Sequence, residues 1–209
     1  MAASKIYAII LAAGLSTRMG TAKQLLPLQG VPMLEHVAHQ RLKEPFEKVV
    51  IILGHEEAAI RAAITIETPR LEWLTHEGYE EGQTSSLIKG FHAIPEDVDS
   101  VMIFLADQPF IKSETIKTLK AEGEIKGKEL TGPFTIRPYY HGIPGHPVYW
   151  GHIHSPDMPN FSAYKGEKKG GLRMMQHVEQ FCIQVNDPSV AIDIDTPKDY
   201  KEAKRREMI

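Results

Sequence analysis

Cysteine is almost missing from this chain. Cys182 is the only one in 209 residues, which excludes an internal disulfide framework and any cysteine-based zinc site. Its place in the apolar run Phe181-Cys182-Ile183 predicts a buried, inert thiol rather than a nucleophile. Membrane-length hydrophobic runs are absent as well. The apolar stretch Ile6–Ala13 is too short to span a bilayer, and Arg18 and Lys23 follow it where a signal peptide would place charge before it. A soluble, reduced, cytoplasmic protein without a membrane partner is expected. An excess of one charge is also lacking, with 24 Lys+Arg against 27 Asp+Glu and a formal net charge of -3. A general electrostatic hold on nucleic acid is therefore not expected. Any phosphate chemistry must come from a local site.

What is present describes a globular domain. Hydrophobic residues make up 42% and charged residues 24%, which is ordinary globular usage. The length is near that of one domain, so residues 1–209 are read as a single domain, with no internal repeat or linker. Four short apolar runs occupy the first half: Ile6–Ala13, Val49–Leu53, Leu71–Thr75 and Val101–Ala106. Three of them are nearly continuous rather than alternating, as expected of strands covered on both faces of a parallel sheet. Helical spacing lies between them. It is marked by Met33, Leu34, Val37 and Leu42 after Pro32, by Ala58, Ala59, Ala62 and Ala63, and by Leu87, Ile88 and Phe91. A further helix opens with Ser113 as N-cap before Ile116 and Leu119.

Alternating strands and helices predict right-handed crossovers and a layered α/β domain. Thr131 to Trp150 is broken by Pro133, Pro138, Pro144 and Pro147, and reads as an irregular excursion with one or two strands, partly antiparallel. A short helix near Leu172–Val178, a strand near Phe181–Val185 and a charged helix from Pro197 to Met208 complete the chain.

Chemistry concentrates in the loop after the first strand, Leu11-Ala12-Ala13-Gly14-Leu15-Ser16-Thr17-Arg18-Met19-Gly20-Thr21-Ala22-Lys23. Glycines let backbone amides approach an anion closely, and Arg18 and Lys23 add a fork and a point charge for phosphate oxygens. The spacing is neither a P-loop nor a dinucleotide fingerprint. The plainer alternative is a strand-to-helix turn whose cations face solvent.

Carboxylates come later. Phe104-Leu105-Ala106-Asp107-Gln108-Pro109 ends an apolar strand on Asp107, where open α/β sheets bind ligands. A capping role is the alternative. In Ala191-Ile192-Asp193-Ile194-Asp195-Thr196-Pro197, extended backbone would put Asp193 and Asp195 on one face. Like charges so close favour a cation or donors, although Asp195 could instead cap the following helix. In Glu81-Gly82-Gln83-Thr84-Ser85-Ser86-Leu87, hydroxyls fall at an expected helix N-terminus, suited to nucleotide groups or to simple capping. His146, fixed between Gly145 and Pro147, suits either a second substrate or a structural role. His152 and His154 read as a solvated loop rather than a metal pair.

The first loop resembles the Leu-Ala-Ala-Gly-x-Ser-x-Arg-Met-Gly-x-x-Lys signature of nucleotidyltransferases acting on the molybdenum cofactor. Within that group it is similar to the cytidylyltransferase branch, which includes proteins linked to xanthine dehydrogenase maturation. Gln24-Leu25-Leu26-Pro27-Leu28, Gly30-Val31-Pro32-Met33-Leu34, the Ala-Asp-Gln-Pro at Asp107, the Asp-Ile-Asp-Thr-Pro at Asp195 and the Pro-Gly-His-Pro at His146 match as well. Gly166-Glu167-Lys168-Lys169-Gly170-Gly171-Leu172-Arg173 departs from the family's Gly-Asp-x-Gly-x-Arg, and no role is carried over there.

The resemblance implies a Rossmann-like, glycosyltransferase-A type, three-layer α/β/α fold with a mostly parallel sheet. It implies CTP held by Leu11, Ala12, Ala13, Gly14, Arg18, Lys23, Thr84 and Ser85, with Arg18, Lys23 and Asp107 catalytic. Mg²⁺ would sit on Asp107 and Asp195, and a molybdopterin-type acceptor would lie near His146. A client molybdoenzyme such as a xanthine dehydrogenase would be a partner. The same fold would also admit GTP, a sugar or polyol phosphate acceptor, or a non-catalytic carrier of the cofactor.

Overall fold

A computed structural model of the chain describes residues 5–164 and 170–206. The four apolar runs of the first half are strands: β1 (Ile6–Leu11), then, after the short antiparallel pair β2 (Pro27–Leu28) and β3 (Val31–Pro32), β4 (Lys48–Leu53), β5 (Leu71–Thr75) and β6 (Ser100–Leu105). Helices α1 (Met33–Leu42), α2 (Glu57–Ala63), α3 (Gln83–His92) and α4 (Ser113–Glu129) alternate with them. β1 pairs in parallel with β4 on one side and β6 on the other, and β4 pairs in parallel with β5. The excursion supplies β7 (Phe134–Tyr140), β8 (Ile143–Pro144) and β9 (Val148–Gly151); α5 (Gly170–Met175), β10 (Glu179–Gln184) and α6 (Pro197–Arg206) follow.

The main sheet runs β10-β7-β9-β6-β1-β4-β5. β9 lies between β6 and β7 and is antiparallel to both, while β10 runs parallel to β7 and β8 folds back on it. The chain is thus an α/β domain with a mostly parallel sheet and an antiparallel insertion from its second half.

Continuous apolar strands are explained by burial on both faces. Ala8 and Ile10 pack with Leu34, Val37, Ile60, Ile116 and Leu119 under α1, α2 and α4. Tyr7, Ile9 and Leu11 face Leu87, Phe91, Trp150 and Met174 under α3 and α5. Each fully buried Ile or Leu contributes about 1.5–3 kcal/mol, so helices on both faces are the low-energy way to cover such a sheet. A small third cluster of Leu28, Met33, Ile194 and Ala203 seats α6 beside β2 and β3.

The helix expected over the alanines forms as α2, with those alanines exposed and Ile60, with Ile64 just beyond the helix, buried. Three local expectations are corrected. Ser113 does not cap α4. The buried Asp187, from beyond β10, accepts from Lys112 N (2.9 Å) and Thr115 Oγ1 (2.8 Å) at that helix start. Cys182 is exposed rather than buried, because β10 is the sheet edge. His152 is half-buried, its ring edge-on to Phe134 with its nitrogens 3.1 Å and 3.2 Å from the Gly132 and Gly127 carbonyls. His154 is exposed. Residues 166–169, part of the stretch that departs from the family pattern, and 207–208 of the expected last helix lie outside the described residues.

Candidate active site

The C-terminal ends of β1 and β6 meet at one edge of the sheet, where Ala106 N donates to Leu11 O (3.1 Å). The loop after β1 therefore starts beside the turn that carries Asp107. Buried Gln24 holds that loop closed: its amide donates to Ala12 O (2.7 Å) and Gly14 O (3.3 Å), and Ser16 Oγ donates to its carbonyl (3.3 Å). Ser16 in turn accepts from Lys23 N (3.2 Å). These contacts bend the loop back so that Lys23 points across the strand ends.

Lys23 reaches two acids. Its ammonium lies 2.5 Å from Asp107 Oδ2 and 2.8 Å from Asp195 Oδ1. Arg18 closes the group from outside, 2.7 Å from Asp195 Oδ2. Asp195 is free for this because Thr196 and Asp199 cap α6 reciprocally, Thr196 N donating to Asp199 Oδ2 (2.8 Å) and Asp199 N to Thr196 Oγ1 (3.2 Å). The peptide before it is docked on the other acid, Ile194 N donating to Asp107 O (3.0 Å). Asp193 turns elsewhere and accepts from Gln108 Nε2 (2.7 Å).

The two acids are tuned in opposite directions. Burial pushes the Asp107 carboxyl above its usual range, against the lowering by Lys23. At Asp195 burial acts in the same sense but is overcome by Lys23 and Arg18, which hold the carboxyl low. Burial alone would lower Lys23, yet Asp107 and Asp195 keep its ammonium raised above the ordinary lysine value.

The donor set suits a hard divalent cation. Asp107 Oδ1 is buried with no hydrogen-bond partner, and the facing oxygens of Asp107 and Asp195 converge on a single ammonium. Among the described residues no three or more His, Cys, Asp or Glu side chains form a metal cage. Such an ion would thus complete its shell with phosphate oxygens and water, as Mg²⁺ commonly does.

Two adjoining cavities open at this edge. One, of about 240 Å³, is lined by Leu11 to Leu15, Lys23, Gln24, Gly82, Ser86 and Asp107, together with Tyr79 and Glu80. The other, of about 370 Å³, is lined by His146, Arg137, Thr84, Trp150 and apolar side chains including Leu87 and Met175. Leu11 and Gln83 belong to both. The turn into α3 is made by Gly82, whose φ of 102° favours glycine.

Leu11, Ala12, Ala13, Gly14, Lys23 and Asp107 therefore share the first cavity, and Arg18 and Asp195 flank it through Lys23. Thr84 falls in the second cavity and accepts from Gly171 N (3.3 Å). Ser85 is turned inward, donating to Gly82 O (2.7 Å) with its oxygen 2.8 Å from His76 Nε2. Ser86 takes the lining position instead. His146 stands half-buried in the wall of the second cavity, where burial, with Arg137 adding to it, pushes its imidazole down to about 3. Gln24 and Gln108 were not singled out from sequence. Both stand in stretches that match the family pattern, and each is a polar side chain that needs a partner when buried.

A glycine loop at a strand end, cations and acids converging on it, and two joined cavities define the class of nucleotidyltransferase domains. The chain belongs to the family of the MobA-like NTP transferase domain, whose model matches residues 8–181. It is 25% identical over 215 aligned residues to the molybdenum cofactor cytidylyltransferase of Escherichia coli, covering 97% of each chain. It is 30% identical over 164 residues to the bifunctional protein GlmU of Desulfotalea psychrophila, spanning 77% of this chain and 45% of that protein. The chain thus spans less than half of that longer relative. A manganese complex from Mycobacterium tuberculosis shares the fold, with a TM-score of 0.69 at 21% identity, covering 98% of this chain and 100% of that one. Among the described residues no helix is long and apolar enough to cross a membrane.

Proposed function

We propose that residues 1–209 act as one cytoplasmic nucleotidyltransferase domain that transfers CMP from CTP to the terminal phosphate of a molybdopterin-type acceptor. An acceptor phosphate oxygen bonds to the α-phosphorus of CTP, the bond from that phosphorus to the β-phosphate bridge breaks, and pyrophosphate leaves with the electron pair. Such chemistry rests on positioning and charge stabilisation and needs no covalent nucleophile from the protein. The observation that carries the reading is the placement of Lys23 within 2.8 Å of both Asp107 and Asp195, with Arg18 beside them, at the mouth of the glycine loop.

In this reading Leu11–Gly14 and Ser86 bound the nucleotide, with Thr84 near the junction with the second cavity and Ser85 shaping the turn behind it. Lys23 offsets charge growing at the α-phosphate, and Arg18 holds the departing pyrophosphate. Asp107 and Asp195 would hold Mg²⁺, which would neutralise triphosphate charge. The second cavity, with His146 in its wall, receives the acceptor. The preference for cytosine rests on Ala12-Ala13, since in the resembling family Ala-Ala accompanies cytidine and a second-place Gly accompanies guanosine. A one-methyl difference discriminates by only about 1–3 kcal/mol.

The test is pyrophosphate release from CTP with and without molybdopterin, in competition with GTP and ATP. Acceptor-dependent release with CTP preferred supports the assignment. GTP preference overturns the base, and release only with a sugar or polyol phosphate overturns the acceptor. Tight binding of the nucleotide-bearing cofactor without any release would make the protein a carrier.

A further inference from the structure

Two hydrogen bonds leave the carboxylate edge through one side chain, and one of them leads on to the second cavity. Gln108 follows Asp107 directly and is buried. Its amide nitrogen donates one proton to Asp193 Oδ1 (2.7 Å) and one to Val190 O (3.2 Å). The same Val190 carbonyl accepts from His146 N (2.9 Å). The neighbour of His146 is pressed onto this point, because a Cβ on Gly145 would fall 2.3 Å from Val190 O, and Arg137 Nε donates to Gly145 O (2.9 Å). Both polar residues in that wall of the second cavity are therefore registered, through Val190, on the residue next to Asp107.

Packing alone does not account for this glutamine. Its carbonyl Oε1 is buried with no partner, a burden that an apolar side chain of equal size would avoid. The two amide protons are what the fold retains, and each has an acceptor on a different part of the site.

We propose that Gln108 is a positioning residue that couples the two cavities, setting the His146–Arg137 wall in register with the carboxylates that face the nucleotide. The inference rests on the nucleotidyl-transfer reading for the identity of the two ligands. Gln108 touches neither cavity's contents and acts through Val190 and Asp193. An amide nitrogen with both protons engaged is a stiff link, and hydrogen-bonded networks of this kind carry coupling between neighbouring sites.

The test is a titration of ¹⁵N-labelled protein with CTP in Mg²⁺, comparing wild type with Gln108→Leu and, should that variant fold poorly, Gln108→Met. In wild type the amides of Gly14 and Lys23 shift, and so does that of His146. In the variant the Gly14 and Lys23 shifts persist with a CTP Kd within about threefold of wild type, while the His146 response falls by half or more. In turnover the acceptor KM rises about tenfold with the CTP KM unchanged, which a merely stabilising residue would not produce. An equal His146 response in wild type and variant overturns the coupling, as does an unaltered acceptor KM in a variant whose only change is a lower Tm. CTP binding without pyrophosphate release would sink the proposed function, and the shifts would still decide the coupling.

Discussion

Asp107 is held in place by its surroundings more than it holds them. One of its oxygens has no partner, burial opposes its charge, and Lys23 keeps Asp195 as a partner without it, so little stability is lost with it. Asp107→Ala is expected to keep its Tm near that of wild type while kcat drops about 10²–10³-fold, as when one preorganised charge contact to a transition state is lost. A folded variant with normal turnover would remove Asp107 from the mechanism. Lys23 gives the complementary case. Its ammonium stands where the two acids would meet a cation, so Lys23→Met should bind Mn²⁺ more tightly than wild type without nucleotide, by at least about tenfold even at a water-like dielectric. Titration followed by electron paramagnetic resonance reads this directly, and weaker binding would show that lysine and metal do not compete.

At this scale the sequence was legible where chemistry is local. Gly14, Arg18 and Lys23 share one loop, and Asp107 ends one strand. Ser85 and Ser86 were not separable, because adjacent helical positions differ by about 100° in direction and a run of hydroxyls carries no phase. The convergence of Asp195 on Lys23 spans 172 residues of chain, and only packing reveals it.

Elements were legible wherever burial on both faces forced a continuous apolar run, as in β1, β4 and β6. They were less so where small residues can face either way, as in α2, and where a cap arrives from far along the chain. Asp187 shows the energetic side of the second case. Its carboxylate serves Lys112 N, Thr115 Oγ1 and Ser189 N (3.0 Å) while almost fully buried. Asp187→Ala strands three donors and should lower unfolding free energy by about 1–3 kcal/mol. The urea midpoint is the measurement, and a loss below about 0.5 kcal/mol would show that water replaces the cap without penalty.

For the whole molecule, the half-buried His146 sets an acid limit. Its imidazole is held down to about 3 by burial and, less, by Arg137, against 6.5 for the free group. The unfolded chain therefore binds the extra proton between those values. This contribution is complete above about pH 6.5 and is lost progressively as pH falls toward 3, at up to about 1.4 kcal/mol per pH unit. His146→Gln should flatten that part of the stability profile in denaturant melts from pH 7 to 4, and an unchanged slope would show that other groups dominate acid unfolding.

Until β9 slots in beside β6, that all but fully buried strand has a bare flank, its amides and carbonyls open to any extended peptide nearby. A nascent or truncated chain ending before Val148 would consequently be sticky in a way the finished molecule is not, and would be expected to drift toward inclusion bodies instead of persisting as a soluble half-domain.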